Sequence, residues 1–113
     1  MDNGFYPAPG KGLSRKRTQL APEIAATFKA FNEQVFAEGA LSVKTKQLIA
    51  VAVAHVTQCP CCISRHTELA LKHGATQRGV MEAIWVAAEM RAGGVYAHAN
   101  LALETMERLE GKR

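Results

Sequence analysis

Apolar residues recur three or four positions apart along most of the chain, which is the spacing of one face of an α-helix. The first series lies mainly between Pro22 and Gly39. A proline suits the first turn of a helix and a glycine suits its end, so these two residues bound a predicted helix. The apolar positions of this series are Leu20, Ile24, Phe28, Phe31 and Val35.

The next segment, QLIAVAVAHV at positions 47–56, is apolar on nearly every side. This pattern is typical of a central, buried helix, although a buried strand is a competing interpretation of such a valine-rich run. The alanines favour a helix, and Ser42 can cap its start. We therefore expect a second helix that begins just after Ser42.

Three further helices are predicted from prolines, glycines and caps. Pro60 should begin a helix after a break at Gln58–Cys59, and Gly74 should end it. Thr76 can cap the next helix, and Gly93–Gly94 should form a turn before a last one. The sequence thus predicts an all-α fold of about five helices.

The N-terminal segment differs from the rest of the chain in composition. Residues 1–19 hold three of the nine glycines and two of the four prolines, which predicts an extended or poorly ordered arm. Residues 20–113 should then form one helical domain, since 113 residues suffice for a single core.

Composition and charge narrow the class of protein. The chain is 48% hydrophobic but only 6% aromatic, and its alanine-rich helices suggest that subunits bury one another in an oligomer. The net charge of +4 lies largely at the two ends. A basic end could bind nucleic acid, but without a recognisable binding motif we interpret it as a solvated arm.

With no membrane span or signal pattern evident, we expect a cytoplasmic protein that binds neither nucleic acid nor membrane.

The stretch QCPCCISRH, from Gln58 to His66, carries all three cysteines of the chain. If Pro60 begins a helix, Cys59 caps it and Cys62 lies in its first turn, where the helix dipole favours a thiolate. His66 follows Cys62 by four positions and shares its helical face. One sulfur could attack a peroxide oxygen and become a sulfenic acid, which the other could convert to a disulfide.

Two other interpretations of this stretch remain open. The cysteines could be buried packing residues, the interpretation that we favour for Cys61. They could also bind zinc through Cys59, Cys62 and His66, with His55 or Cys61 as the fourth ligand. Haem attachment is excluded because Ile63, not histidine, follows Cys62. We predict no bound cofactor.

Two segments together carry a resemblance to a known family. LSVKTKQLIAVAVAHVTQCPCCISRHTELALKHGAT, at positions 41–76, and MEAIWVAAEMRAGGVYAHA, at 81–99, resemble the carboxymuconolactone decarboxylase superfamily, most closely its alkylhydroperoxidase D-like branch. The resemblance implies an all-helical subunit that forms homohexamers or homotrimers. It also implies a peroxidase that reduces hydrogen peroxide or organic hydroperoxides with an external dithiol as reductant.

The resemblance assigns roles to the motif. Cys62 would attack the peroxide, Cys59 would resolve the intermediate and His66 would relay the proton. Apart from the resemblance, His55 lies near the motif at the end of the second helix and could support the site, or it could be a packed core histidine. The branch has a glutamate twelve residues before the first cysteine, and this chain has Gln47 there. An amide can orient a histidine but cannot titrate, so we expect weak activity.

Other functions for the same chain are a non-catalytic, redox-sensing or zinc-binding oligomer, which Gln47 favours, or a decarboxylase acting on a muconolactone. The decarboxylase function is the weakest of these. Decarboxylases of the superfamily lack the cysteine pair, and residues 41–103 offer few convergent cations for a dicarboxylate.

Overall fold

The computed structural model describes residues 12–111, which form five α-helices and no strand. This confirms the predicted all-α fold. The chain divides between Ala37 and Glu38 into two compact units. The helices are α1 (Leu13–Leu20) and α2 (Pro22–Phe36) in the first unit, and α3 (Val43–Thr57), α4 (Pro60–Lys72) and α5 (Gln77–Glu110) in the second.

The first unit differs in part from its prediction. Residues 13–19 were expected to be extended or poorly ordered, but they form most of helix α1, which follows Gly12 in the left-handed conformation. The reason is local, because the sequence LSRKRTQL contains no glycine or proline and is rich in good helix formers. The remainder of the predicted arm, residues 1–11, lies outside the described residues. The domain boundary at residue 20 stays a prediction.

The ends of α3 and α4 follow the predicted signals. The Ser42 side chain accepts a hydrogen bond from the Thr45 backbone N–H at 3.1 Å and caps α3. Pro60 occupies the first turn of α4. Gly74 follows that helix with a φ of 99°, a left-handed conformation that glycine adopts without a steric penalty. The break between α3 and α4 therefore lies at Gln58–Cys59, as the sequence predicted.

The predicted turn at Gly93–Gly94 is wrong. Helix α5 continues through both glycines for 34 residues, from Gln77 to Glu110. A glycine weakens a helix by about 1 kcal/mol but keeps its backbone N–H, unlike a proline, so good helix formers on both sides can carry the helix across. None of the helices within residues 12–111 combines the length and the apolar character needed to cross a membrane.

The core of the second unit is small and lies where α3 packs against α4 and α5. Val51 of α3 and Ala70 of α4 are fully buried, and Val80 of α5 completes their cluster. Leu48, Ala75 and Ile84 pack around them. This cluster fixes α4 on α3, and with it the position of the cysteine stretch relative to Gln47 on the preceding helix.

Candidate redox-active site

The cysteine stretch begins at a sharp junction between α3 and α4. Gln58 adopts a left-handed conformation, with a φ of 56°, and ends α3. The backbone N–H of Cys59 still donates to the Ala54 carbonyl of α3, at 3.1 Å. The Cys59 carbonyl in turn accepts from the backbone N–H of Ile63 in α4, at 2.9 Å. Cys59 is therefore tied to both helices, which fixes its side chain at the start of α4.

Cys59 and Cys62 are joined by a disulfide. Their Cα atoms lie 5.3 Å apart, inside the range that disulfides usually span. Because Cys59 is the cap of α4 and Cys62 lies in its first turn, both sulfurs are at the positive end of the helix. When the disulfide is reduced, the backbone N–H groups in the first turn of α4 stabilise a thiolate.

Gln47 and His66 form a hydrogen bond between α3 and α4. The Gln47 Oε1 and the His66 Nδ1 are 2.7 Å apart, and the Gln47 side chain is only 4% exposed. An amide oxygen can only accept, so Nδ1 of His66 must carry the proton. The lone pair of the neutral ring is then on Nε2. Gln47 thereby selects the tautomer whose Nε2 can act as a base.

The charge state of His66 follows from its surroundings. Desolvation lowers the pKa of His66 below the usual 6.5, and the positive charge of the neighbouring Arg65 lowers that pKa further. The lowered pKa favours the neutral ring, which is the form able to accept a proton. Gln47 accepts a hydrogen bond from the ring but is uncharged, so it supplies no negative charge to balance an imidazolium ion.

Cys61 does not pack in the interior of the chain, contrary to our interpretation from the sequence. Its side chain is exposed, and its Sγ lies 3.6 Å from that of Cys59. The sulfurs of Cys59, Cys61 and Cys62 all lie within 4.8 Å of one another. Cys59 is the cap residue of α4 and has an extended backbone, and its sulfur lies near those of both Cys61 and Cys62. Helical spacing alone did not reveal this approach.

The zinc ligand set that the sequence left open as an alternative is not brought together within the described residues. In the part of the chain that the structure describes, the group of side chains able to share a metal ion consists of the three cysteines. Neither His66 nor His55 belongs to that group. A four-ligand zinc site within one subunit would need an additional donor at this position.

His55 lies away from these contacts, near the end of α3. Its Nδ1 is 2.7 Å from the Val51 carbonyl of the same helix. Its side chain lines a cavity of about 200 Å³, together with Val56, Ile84, Ala87, Ala88 and Arg91. The supporting role assigned to His55 stays a prediction.

Arg91 is a polar residue of this cavity whose contact the sequence did not predict. Its Nη1 donates to the Val56 carbonyl at 3.3 Å, which ties α5 to the last turn of α3. Arg91 lies seven residues after Ile84, which is two helical turns along the same face. This spacing was the sequence signal that Arg91 lies on the packed face of α5.

The fold and the junction define a class of protein, an all-helical chain with a paired-cysteine motif at the start of a helix and a histidine one turn beyond. This chain belongs to the carboxymuconolactone decarboxylase family, which it matches over residues 22–105. All the predicted site residues lie inside that match. The predicted superfamily is thus confirmed, while membership of the alkylhydroperoxidase D-like branch stays a prediction.

The chain is also similar to a named relative and to solved structures, one of which is described as a protein of this family. The chain is 62% identical over 94 residues to a protein of Paracoccus denitrificans named uncharacterized protein 4 in cox locus, covering 83% of this chain and 85% of that protein. A crystal structure from Methanobacterium thermoautotrophicum has a TM-score of 0.71 at 40% identity, over 74% of this chain and 94% of that one. An apo carboxymuconolactone decarboxylase family protein from Legionella pneumophila has a TM-score of 0.67 at 34% identity, over 85% and 86%.

Proposed function

We propose that the protein is a thiol-dependent peroxidase that reduces hydrogen peroxide or organic hydroperoxides. The observation that carries the proposal is the disulfide between Cys59 and Cys62 at the start of α4, with the neutral His66 one turn beyond. A dithiol that closes readily to a disulfide, next to a base, can accept the oxidising equivalents of a peroxide. The reductant would be an external dithiol.

The first half of the proposed cycle uses Cys62 and His66. The Cys62 thiol transfers its proton to Nε2 of His66, and the helix N-terminus stabilises the resulting thiolate. The thiolate attacks the terminal oxygen of the hydroperoxide, and the O–O bond breaks as the S–O bond forms. The leaving alkoxide takes the proton from His66 and departs as an alcohol, or as water when the substrate is hydrogen peroxide. Cys62 is left as a sulfenic acid.

The second half restores the dithiol. The Cys59 sulfur attacks the sulfenic sulfur of Cys62 to form the disulfide, and the hydroxyl group leaves with the Cys59 proton as water. An external dithiol then exchanges with this disulfide through a mixed disulfide. The external pair is oxidised, and Cys59 and Cys62 return to thiols.

Gln47 makes weak turnover the expected outcome. Its amide fixes the orientation of His66 but cannot share the proton that the histidine accepts. Since the pKa of His66 is already lowered, its imidazolium form lacks a compensating negative charge from Gln47. A redox-sensing protein that forms the disulfide without turning over rapidly is the second candidate function, and Gln47 is the observation that favours it.

One experiment tests the proposed peroxidase directly. The fully reduced, metal-free chain is treated with one equivalent of an organic hydroperoxide, and the products are identified by intact mass and peptide mapping. We expect the loss of two hydrogens per chain, a Cys59–Cys62 link and one equivalent of alcohol. Turnover with excess dithiol separates an enzyme from a sensor, which would form the link but show no sustained consumption of peroxide.

Single-cysteine variants provide the controls. Cys62→Ser should abolish the reaction, whereas Cys59→Ser should stop at a sulfenic acid that a carbon nucleophile can trap. Cys61→Ser should still form the Cys59–Cys62 disulfide. If all three thiols of the unmodified protein stayed free after peroxide treatment, the proposed function would be wrong.

A further inference from the structure

We infer that the reduced chain binds one Cu(I) ion through the sulfurs of Cys59, Cys61 and Cys62. These three side chains form a shared metal-capable group, with their sulfur atoms within 4.8 Å of one another. Cys59 and Cys62 are half-buried and Cys61 is exposed, so an ion could reach the group from solvent. The site gives a function to Cys61, a residue that the proposed peroxidase cycle does not use.

The chemistry of the donors favours Cu(I). Thiolates are soft ligands that select Cu(I) and zinc over hard cations such as Mg²⁺ or Ca²⁺. Structural zinc sites use four ligands, but this group supplies three within the described range, residues 12–111. A three-sulfur site therefore matches an ion that accepts three-coordinate thiolate ligation better than it matches zinc.

The distances are compatible with a shared ion. Sulfurs placed about 2.3 Å from one metal, as in zinc–thiolate bonds, lie roughly 4 Å from each other in a trigonal arrangement. The Sγ atoms of Cys59 and Cys61 are 3.6 Å apart. Cys59 and Cys62 are closer than this because they are bonded, and reduction of that bond lets their sulfurs separate.

The surroundings favour the negative charge of such a complex. Three thiolates around one Cu(I) carry a net charge of −2, and they lie at the positive end of α4. Arg65 follows Cys61 by four residues, so its cationic side chain is on the same face of the helix. Both features lower the free energy of the thiolate form.

Cu(I) binding and disulfide formation are mutually exclusive in this arrangement. The disulfide occupies two of the three donors, so the oxidised chain retains only the Cys61 thiol. A dithiol reductant must return two electrons and two protons to Cys59 and Cys62 before the site exists. Binding of Cu(I) then releases the three thiol protons and blocks the sulfur that would attack a peroxide.

The test uses the full chain, reduced and kept under anaerobic conditions. Cu(I) is supplied as its complex with a coloured chelator, and the loss of colour measures transfer to the protein. We expect one Cu(I) per chain, three sulfur neighbours by X-ray absorption, and no transfer to the disulfide form. Cys61→Ser should bind at least tenfold more weakly, while Ser64→Ala, an exposed change on the same helix, should bind like the unmodified chain.

Several outcomes would overturn the inference. These are equal binding by Cys61→Ser and the unmodified chain, equal binding by the reduced and oxidised chains, or one ion shared by two chains. Zn²⁺ held by four ligands in preference to Cu(I) would also overturn it. The inference does not rest on the proposed peroxidase activity, because a chain that fails to consume peroxide could still bind Cu(I) through its three thiols.

Discussion

At the scale of single residues, the sequence predicted which side chains would meet but not every contact among them. Cys59, Cys62, His66 and Gln47 were chosen from spacing and resemblance, and the structure brings them into one disulfide and one hydrogen bond. Inside a helix, consecutive residues lie about 100° apart around the axis, so helical spacing alone would point Cys61 away from its neighbours. Cys59, however, is the cap of α4 and has an extended backbone, and its Sγ lies 3.6 Å from that of Cys61.

Gln47→Glu should increase the rate of peroxide reduction by about tenfold, a modest part of what general acid–base catalysis contributes. A carboxylate at 2.7 Å from the ring nitrogen would raise the pKa of His66, because its negative charge stabilises the imidazolium ion. The measurement is steady-state peroxide consumption with excess dithiol, alongside the pH profile of the rate. The acidic limb of that profile should move as the pKa of His66 rises.

Gln77→Glu is the matched control for this substitution. It adds the same negative charge at an exposed position at the start of α5, away from the hydrogen bond between Gln47 and His66. We expect it to leave both the rate and the pH profile unchanged. An unchanged rate in Gln47→Glu would show that the proton does not pass through this pair.

At the scale of secondary structure, capping residues and prolines predicted helix boundaries correctly, whereas glycines did so only at some positions. Ser42, Pro60 and Thr76 each mark a helix start that the structure contains, because each satisfies or removes a backbone donor at a helix end. A glycine neither satisfies nor removes a backbone donor at a helix end. Its effect depends on φ, so Gly74 ends a helix while Gly93–Gly94 lies within one.

Gly94→Ala should stabilise the protein by about 0.5–1 kcal/mol, since alanine is the better residue in a helix interior. A methyl group at this position meets no heavy atom within 4 Å. The contrasting variant is Gly74→Ala, which should destabilise the protein because its φ of 99° is unfavourable for any residue with a Cβ. Urea denaturation of the disulfide form measures both changes. Destabilisation by Gly94→Ala would argue for a break or a close contact at this point of α5.

At the scale of the whole molecule, much apolar surface of one chain faces outward. Trp85 is 67% exposed and Tyr96 is 84% exposed. Sequence patterns reveal apolar faces but not what covers them, since a core and a subunit contact are built from the same residues. The large exposed apolar side chains of α5 are Met81, Trp85, Val86, Met90, Val95, Tyr96, Leu101, Leu103, Met106 and Leu109.

We propose that copies of this chain cover these side chains in a homohexamer, with a homotrimer as the alternative. Burial of a large aromatic side chain is worth several kcal/mol at about 25 cal/mol per Å² of apolar area, which favours association. Trp85→Glu should therefore reduce the native mass measured by light scattering after size exclusion. The control Ser64→Glu places the same charge at an exposed position of α4, outside this set of side chains, and should keep the assembly intact. A monomeric mass for the unmodified chain at micromolar concentration would refute the proposed assembly, and an unchanged mass for Trp85→Glu would place the interface elsewhere.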